Sequence, residues 1–230
     1  MNHLLKLLKW DFILFNRNKL ILLSVIVAII YIGVFYLLKP LGNLTMLTVI
    51  LIFNDPVVTG FLFAGVLLLF DKNQNTLEAI SVLPLSFKKY ILSKAILLSL
   101  LGTVTSIIMA LVTRGTDFNF IHLLLASFLT AFIFSGFGFA MSSVSKTFNQ
   151  LLLYSIPFLI VSAIPFLPLF GFGKLEYFFV IPSAGGIGLL EAAFDPKPLS
   201  KLFFVYVHLA AWTWISWKIA VKATMKTLYA

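Results

Sequence analysis

Two ionisable side chains sit in stretches otherwise suited to lipid. In FNDPVV, residues 53–58, Asp55 lies about 16 Å along a helix starting at Leu44. That is close to the middle of a hydrocarbon layer about 30 Å thick. In VYVHLAAWTWISWK, His208 lies in the last apolar run. An ionisable group at such depth is costly unless it faces protein or water, so it marks an ion or substrate path. Asn54, Asp55, Pro56 and His208 are therefore candidate translocation-path residues. A second reading stands beside the first: Pro56 frees a backbone carbonyl, and Asn54 and Asp55 can satisfy local groups at a structural kink. For His208 the second reading is a hydrogen-bonded packing residue. His122, near the outer end of the fourth apolar run, is a weaker candidate.

Several chemistries are excluded by what the chain lacks. There is no cysteine, so disulfides, thiolate metal sites and cysteine nucleophiles are absent. The three histidines are scattered, without the H-E-x-x-H spacing of a zinc hydrolase or the G-x-S-x-G of a serine hydrolase. A phosphate-binding loop needs G-x-x-x-x-G-K-[ST], whose glycines let backbone amides wrap phosphate. The nearest approach, GFGKLE at Gly171 to Glu176, lacks the first glycine and has Leu175 in place of the hydroxyl residue. No catalytic, cofactor-binding or metal-ligating residue is assigned. The chain is not expected to be an enzyme.

The elements that must hold these residues follow from composition. With 61% apolar and 11% charged residues, the chain departs far from soluble averages, and lipid is its main solvent. Six runs are long and apolar enough to span a bilayer: 20–38, 44–70, 90–112, 120–141, 150–170 and 202–220. The first begins too late, with no small-residue cleavage site after it, to be a cleaved signal. The net charge of +9 does not form the basic face of a nucleic-acid binder, because the basic residues lie between apolar runs. They set orientation instead. With the N-terminus inside, twelve lysines and arginines fall at cytoplasmic ends and five (Lys39, Arg114, Lys174, Lys197, Lys201) outside. Both termini are expected in the cytoplasm, and residues 1–230 are read as one all-α transmembrane domain.

Residues 1–19 precede the first span. At helical spacing Asn2, His3, Lys6, Lys9 and Asn16 share a face, with Leu4, Leu5, Leu8, Phe12 and Phe15 elsewhere, and Trp10 is an interfacial anchor. This predicts an amphipathic helix in the headgroup plane. Asn16, Arg17 and Asn18 separate it from span one; a cytoplasmic extension of that span is the alternative. Trp212, Trp214 and Trp217 form an inner aromatic belt on the last span, followed by snorkelling Lys218 and Lys222. Between spans five and six, residues 171–201 are too apolar for a free linker and too broken by glycine and proline for a span, which predicts short re-entrant helices on the outer side. Pro157, Pro165 and Pro168 predict kinks in span five.

The polar island LLLFDKNQNTLEAISVLPLSFKKYILSK, residues 67–94, joins spans two and three. Asn75 is a favoured N-cap, and Glu78 three residues on can return a hydrogen bond to the cap, so a short helix is predicted from Thr76. Pro84 ends it, and Ser86 offers a cap for span three. Leu77, Ile80 and Ser81 occupy one side of the short helix, an apolar surface that needs cover from the inner ends of the spans or from a partner.

GFLFAGVLLLFDKNQNTLEAISVLPLSFKKYILSKAILLSLL resembles the region after the second span in membrane (permease) subunits of type 2 ATP-binding-cassette exporters. The matching positions are Gly65, Asp71, Thr76, Leu77, Pro84, Leu85, Tyr90 and Lys94, with Asp71 replacing the usual glutamate and Asn75 standing where glycine is common. About forty residues carry the likeness closely; elsewhere it rests on span count and layout. The resemblance implies a cytoplasmic coupling helix docking on a separate ATPase subunit, through Asn75, Thr76, Leu77, Glu78, Ile80, Ser81, Leu83 and Pro84. It implies that ATP and magnesium are bound by that partner, with no cofactor in this chain. It also implies a second copy or a related permease, with spans two and five facing the two-fold axis, in a cell membrane such as a bacterial plasma membrane. The cargo would be an amphipathic or hydrophobic drug or small peptide moved out of the cytoplasm. An ion-coupled carrier, or a non-transporting membrane assembly or immunity protein, remains the alternative. Co-purification with an ATPase distinguishes the exporter from both.

Overall fold

The computed structural model describes residues 3–42, 44–74, 76–77 and 86–228. Among the described residues the chain is helical, without strands. A first helix, α1 (His3–Arg17), precedes six helices long and apolar enough to cross a membrane. These are α2 (Leu20–Leu38), α3 (Leu44–Asn73), α4 (Phe87–Arg114), α5 (Phe120–Val144), α6 (Phe148–Phe170, closing in a tight 3₁₀ turn from Ile164) and α8 (Leu199–Leu228). Between α6 and α8 lie a 3₁₀ turn, Leu175–Phe178, and the buried helix α7 (Ser183–Phe194).

The predicted break after α1 is two residues long, Asn18 and Lys19. Lys19 takes φ 57°, in the left-handed region uncommon for a side chain with a Cβ, and this sets α1 off from α2. On α1, Asp11 and Phe15 turn inward while Trp10 and Phe12 are exposed. Helix α2 buries Leu20, Ser24, Ala28 and Phe35, one stripe at helical spacing, and leaves Leu22, Leu23, Val25, Ile26, Ile29 and Ile30 outward, as a lipid-facing span must. Helix α6 is equally peripheral, burying Leu151, Ser155 and Ser162 within its regular part. By contrast, 67% of the most apolar stretch of α3 is buried, against 22% for α2 and for α6. Of the two spans expected to face an axis, α6 therefore presents a broad free face and α3 almost none.

The centre is α5, which packs against α3, α4, α7 and α8. Its inward face mixes large side chains such as Phe134 and Phe139 with glycine, alanine and serine, and at the small residues backbones approach closely. A Cβ at Gly136 would meet the Ser216 carbonyl oxygen at 2.8 Å, one at Gly138 the Phe61 carbonyl, and one at Gly60 of α3 the Ala131 carbonyl. Helix α3 is not regular throughout. Pro56 lies inside it, and the following residues Val58–Leu62 form a π-helical turn. Proline removes the donor owed to the carbonyl four residues back, and one wide turn absorbs the misfit without ending the span. The expected kink in span two is thus a π-bulge centred on Gly60.

Two caps are as local rules require. Asn119 Oδ1 accepts from His122 N at 3.1 Å at the start of α5, and Thr147 Oγ1 accepts from Gln150 N at 3.3 Å at the start of α6. The predicted Ser86 cap is corrected: Ser86 occupies the N-cap position of α4, but its hydroxyl makes no capping bond. Helix α7 is buried at every residue except Glu191. It fits because Gly185 and Gly186 leave room for the His208 imidazole and the Thr130 hydroxyl. Its end is held by Asn119 N donating to the Ala193 carbonyl at 2.7 Å. Gly171 and Gly173, with φ 86° and 80°, form the turn that closes α6. The GFGK stretch is therefore a helix terminator.

Close backbone contact at α3–α5 gives a direct test. Gly60→Ala and Gly138→Ala should each destabilise by about 1–3 kcal/mol. Gly33→Ala, on α2 with nothing within 4 Å, should be neutral or stabilising by up to about 1 kcal/mol. Thermal unfolding in detergent should separate the two signs.

Candidate functional site

Charge is concentrated where the polar island leaves and rejoins the bundle. Lys94, on the second turn of α4, is 1% exposed. Its ammonium lies 3.1 Å from Asp11 Oδ1 on α1 and 3.3 Å from Asp71 Oδ2 on the last turn of α3. Ser93 Oγ donates to Asp11 Oδ2 at 2.5 Å, and the Tyr90 hydroxyl donates to Asp71 Oδ2. The ammonium also sits 4.9 Å from the centre of the Tyr90 ring. Three helices thus share one buried cation. A buried pair of this kind adds little net stability compared with apolar packing, but removing one partner strands a charge.

Next to it, Lys72 Nζ donates to the carbonyls of Ser142, Ser143 and Ser145 at 3.4, 3.1 and 2.9 Å. Those carbonyls lie at the C-terminal end of α5, where unpaired acceptors and the helix dipole favour a cation. Of the predicted coupling residues, Thr76 and Leu77 are helical. Leu77 is buried in an apolar cluster with Phe15, Leu20, Leu67, Leu68, Tyr90 and Ile91. Asn75, Glu78, Ile80, Ser81, Leu83 and Pro84 lie outside the described residues.

The second feature is Asp55, fully enclosed and facing α4. The Thr105 hydroxyl contacts Asp55 Oδ2, while Oδ1 has no hydrogen-bond partner. Thr105 Oγ1 is also 3.0 and 3.1 Å from the carbonyls of Gly102 and Leu101, so one hydroxyl proton serves three acceptors. Among the described residues no cation lies within ion-pair distance of Asp55. Beside it, a Cβ on Gly102 would sit 3.1 Å from Pro56 Cα, so α3 and α4 touch closely at the proline. Asn54 Nδ2 donates to its own helix, to the Ile50 carbonyl at 2.7 Å.

His208 is apart from this group. It faces Gly185 of α7, and Phe179, just after the Leu175–Phe178 turn, lies beside it with ring centres 5.0 Å apart. The carbonyls of Phe179 and Ile181 face the imidazole, without a well-formed hydrogen bond on either ring nitrogen. The structure therefore brings Asn54, Asp55 and Pro56 together on one segment and leaves His208 on a different seam. His122 Nδ1 lies 3.4 Å from the Ala192 carbonyl, helping to close α7.

Asp71, Tyr90 and Lys94 were visible in the sequence as motif positions, but not as partners of one another. Asp11 was missed altogether. Its signal was present: it is the lone acid in a helix that carries two lysines and an arginine.

Six helices long and apolar enough to cross a bilayer, packed around a centre rich in small residues, define a multi-pass membrane protein. The chain belongs to the fluoroquinolones export permease protein family, whose sequence model matches residues 2–229. It is similar to a fluoroquinolones export permease protein of Mycobacterium tuberculosis (strain CDC 1551 / Oshkosh), with 25% identity over 201 residues that cover 87% of this chain and 84% of the relative. The protein of the same description from Mycobacterium tuberculosis (strain ATCC 25618 / H37Rv) matches equally. The permease family expected from residues 65–94 is thereby established.

The three-helix junction predicts a specific pattern of instability. Lys94→Met should cost about 3–5 kcal/mol, because two carboxylates lose their shared cation in a buried site. Adding Asp11→Asn and Asp71→Asn to Lys94→Met should recover part of that loss, as read by melting temperature in detergent. A triple variant no more stable than the single one would count against the charge argument.

Proposed function

We propose that this chain is the membrane subunit of an ATP-driven exporter, working with a separate ATPase subunit that binds ATP and magnesium. The supporting observation is the Asp11–Lys94–Asp71 junction, which fixes α1, α3 and α4 at both roots of the segment containing residues 75–84. A push on that segment is then passed to two inner spans at once, and through Lys72 to the end of α5. In this reading both termini are cytoplasmic, α1 lies in the inner headgroup plane, and a second copy or a related permease completes the pathway. The broad free face of α6 is available for that contact.

The cargo is proposed to be an amphipathic or hydrophobic drug. The curated relatives are described as exporting fluoroquinolones, which makes that class the first to test. Asp55, Asn54 and Pro56 are assigned to the cargo route together with His208. Asp55 is enclosed in the arrangement described, so it would reach cargo only when α3 shifts against α4. The π-turn next to Pro56 supplies a place for that shift.

Coupling can be tested cleanly because the chain has no cysteine. Ile80→Cys should cross-link to the ATPase subunit in membranes and resist impermeant thiol reagents applied outside cells. The purified chain alone should hydrolyse no ATP, whereas the complex should show hydrolysis stimulated by cargo. Labelling of position 80 from outside would overturn the assignment. A separate experiment addresses Asp55. Asp55→Asn keeps size and an oxygen acceptor for Thr105 but removes the acid. Transport should fall roughly tenfold, equivalent to about 1.4 kcal/mol on the barrier, with little change in melting temperature. Unchanged transport across a pH series would assign the residue to the kink instead.

A further inference from the structure

At the end of the bundle opposite Lys94 there is a cleft of about 880 Å³ between the end of α6, the Leu175–Phe178 turn, α7 and the first turns of α8. Its floor is apolar: Leu202 and Val205 of α8 are buried there, with Leu175 and Phe179 beside them. Gly188 makes the space, since a Cβ at that position would come within 2.7 Å of Leu175 Cδ2. Around this floor are charges of both signs. Glu191, the one residue of α7 that is not buried, pairs with Lys197 at 2.8 Å. Lys174, Lys201 and Glu176 also line the cleft, and none has an ion-pair partner among the described residues.

We propose that this cleft binds a zwitterionic amphiphile, a molecule whose apolar body lies on Leu175, Phe179, Leu202 and Val205 while its anionic group meets Lys174 or Lys201 and its cationic group meets Glu176. The volume lies within the range of drug-sized sites, and such sites take a mostly apolar lining with a few placed polar groups. A purely apolar ligand would leave the three free charges unused at the rim. A ligand with one charge would meet both signs and gain from only one. The Glu191–Lys197 pair ties α7 to the segment that leads into α8.

Two sources carry this chemistry: an exported drug with a carboxylate and an amine, or a lipid headgroup such as phosphatidylethanolamine. That the occupant is cargo rests on the exporter reading. That the cleft binds it does not, and the test needs no ATPase. The full chain in nanodiscs of phosphatidylglycerol would be titrated with a fluoroquinolone bearing a free carboxylate and a secondary amine, with its ethyl ester, and with its N-acetyl derivative. The same nanodiscs spiked with phosphatidylethanolamine form the second arm.

The zwitterion should bind about fivefold more tightly than either derivative, the scale of one charged contact at a partly exposed site. Lys174→Gln with Lys201→Gln should abolish the preference for acid over ester. Glu176→Gln should abolish the preference for free amine over the N-acetyl form. These are changes in preference, which a general loss of folding does not mimic. Stoichiometric competition by phosphatidylethanolamine identifies the lipid headgroup as the resident ligand, and unchanged affinity in its presence identifies the drug-like zwitterion. Equal affinities for all three compounds, absence of saturable binding, or preferences that survive the substitutions would each overturn the proposal. If the exporter reading fails because no ATPase associates, these binding results stand unchanged.

Discussion

A charge inside a protein dissolved in lipid has to be met by the protein itself, and here one ammonium meets two carboxylates from two other helices. Much of the geometry follows. Helix α1 has little else to fix its direction: Lys19 breaks its continuity with α2, and its inward contacts centre on Asp11 and Phe15. Lys94 therefore decides where α1 lies against α4. The same ammonium fixes the last turn of α3 against the second turn of α4. The polar segment between them thus begins and ends on one rigid point. Replacing the triad with apolar residues could match its stability, but would lose the directional tie that sets the register of three helices.

Lys72 extends this tie to the centre of the bundle. Its three carbonyl partners lie at the end of α5, the helix that packs against α3, α4, α7 and α8. Lys72 and Lys94 thus do different work. Lys94 is enclosed and paired with acids, while Lys72 neutralises a helix end with its carbonyls. Together they make the last turn of α3, the start of α4 and the end of α5 one unit. The opposite end is organised differently, by α7 filling the space between α3, α5 and α8 with glycine-mediated contacts.

The spans were legible in the sequence because lipid imposes an unambiguous hydropathy. Span one has the predicted limits, Leu20 and Leu38. The others run longer than their apolar runs, for a physical reason. Lys88 and Lys89 add an exposed first turn to α4, and Asp71 and Lys72 prolong α3 because each finds a partner. Hydropathy reports the part of a helix that lies in lipid and is silent about the part that leaves it. The candidate site was half legible. Asp71, Tyr90 and Lys94 were visible only as positions of the exporter resemblance, and Asp55 as an acid deep in a span. The link from Lys94 to Asp11 was not, because it joins residues 83 positions apart through side chains alone. The π-turn was hidden as well: Pro56 announces a disturbance, but whether a helix answers with a kink or a wide turn depends on what packs against it.

What packs against it is unusual for a dry helix seam. Around Asp55 the contact between α3 and its neighbours has close backbones at Gly60, Gly102 and Gly138. Buried polar atoms without partners occur on all three helices: Asp55 Oδ1 on α3, Ser106 Oγ on α4, and Ser127 Oγ and Thr130 Oγ1 on α5. Small residues let these helices approach and give them little side-chain interlock to hold them there. Unpaired hydroxyls gain hydrogen bonds when water or a polar ligand reaches them, so separating such a seam costs less than separating a purely apolar one. The π-turn adds a segment of α3 whose hydrogen bonding is already rearranged. Rigidity at the Lys94 end and a weakly held polar seam at mid-span are the two properties a lever needs: one part that transmits a displacement, and another that yields to it.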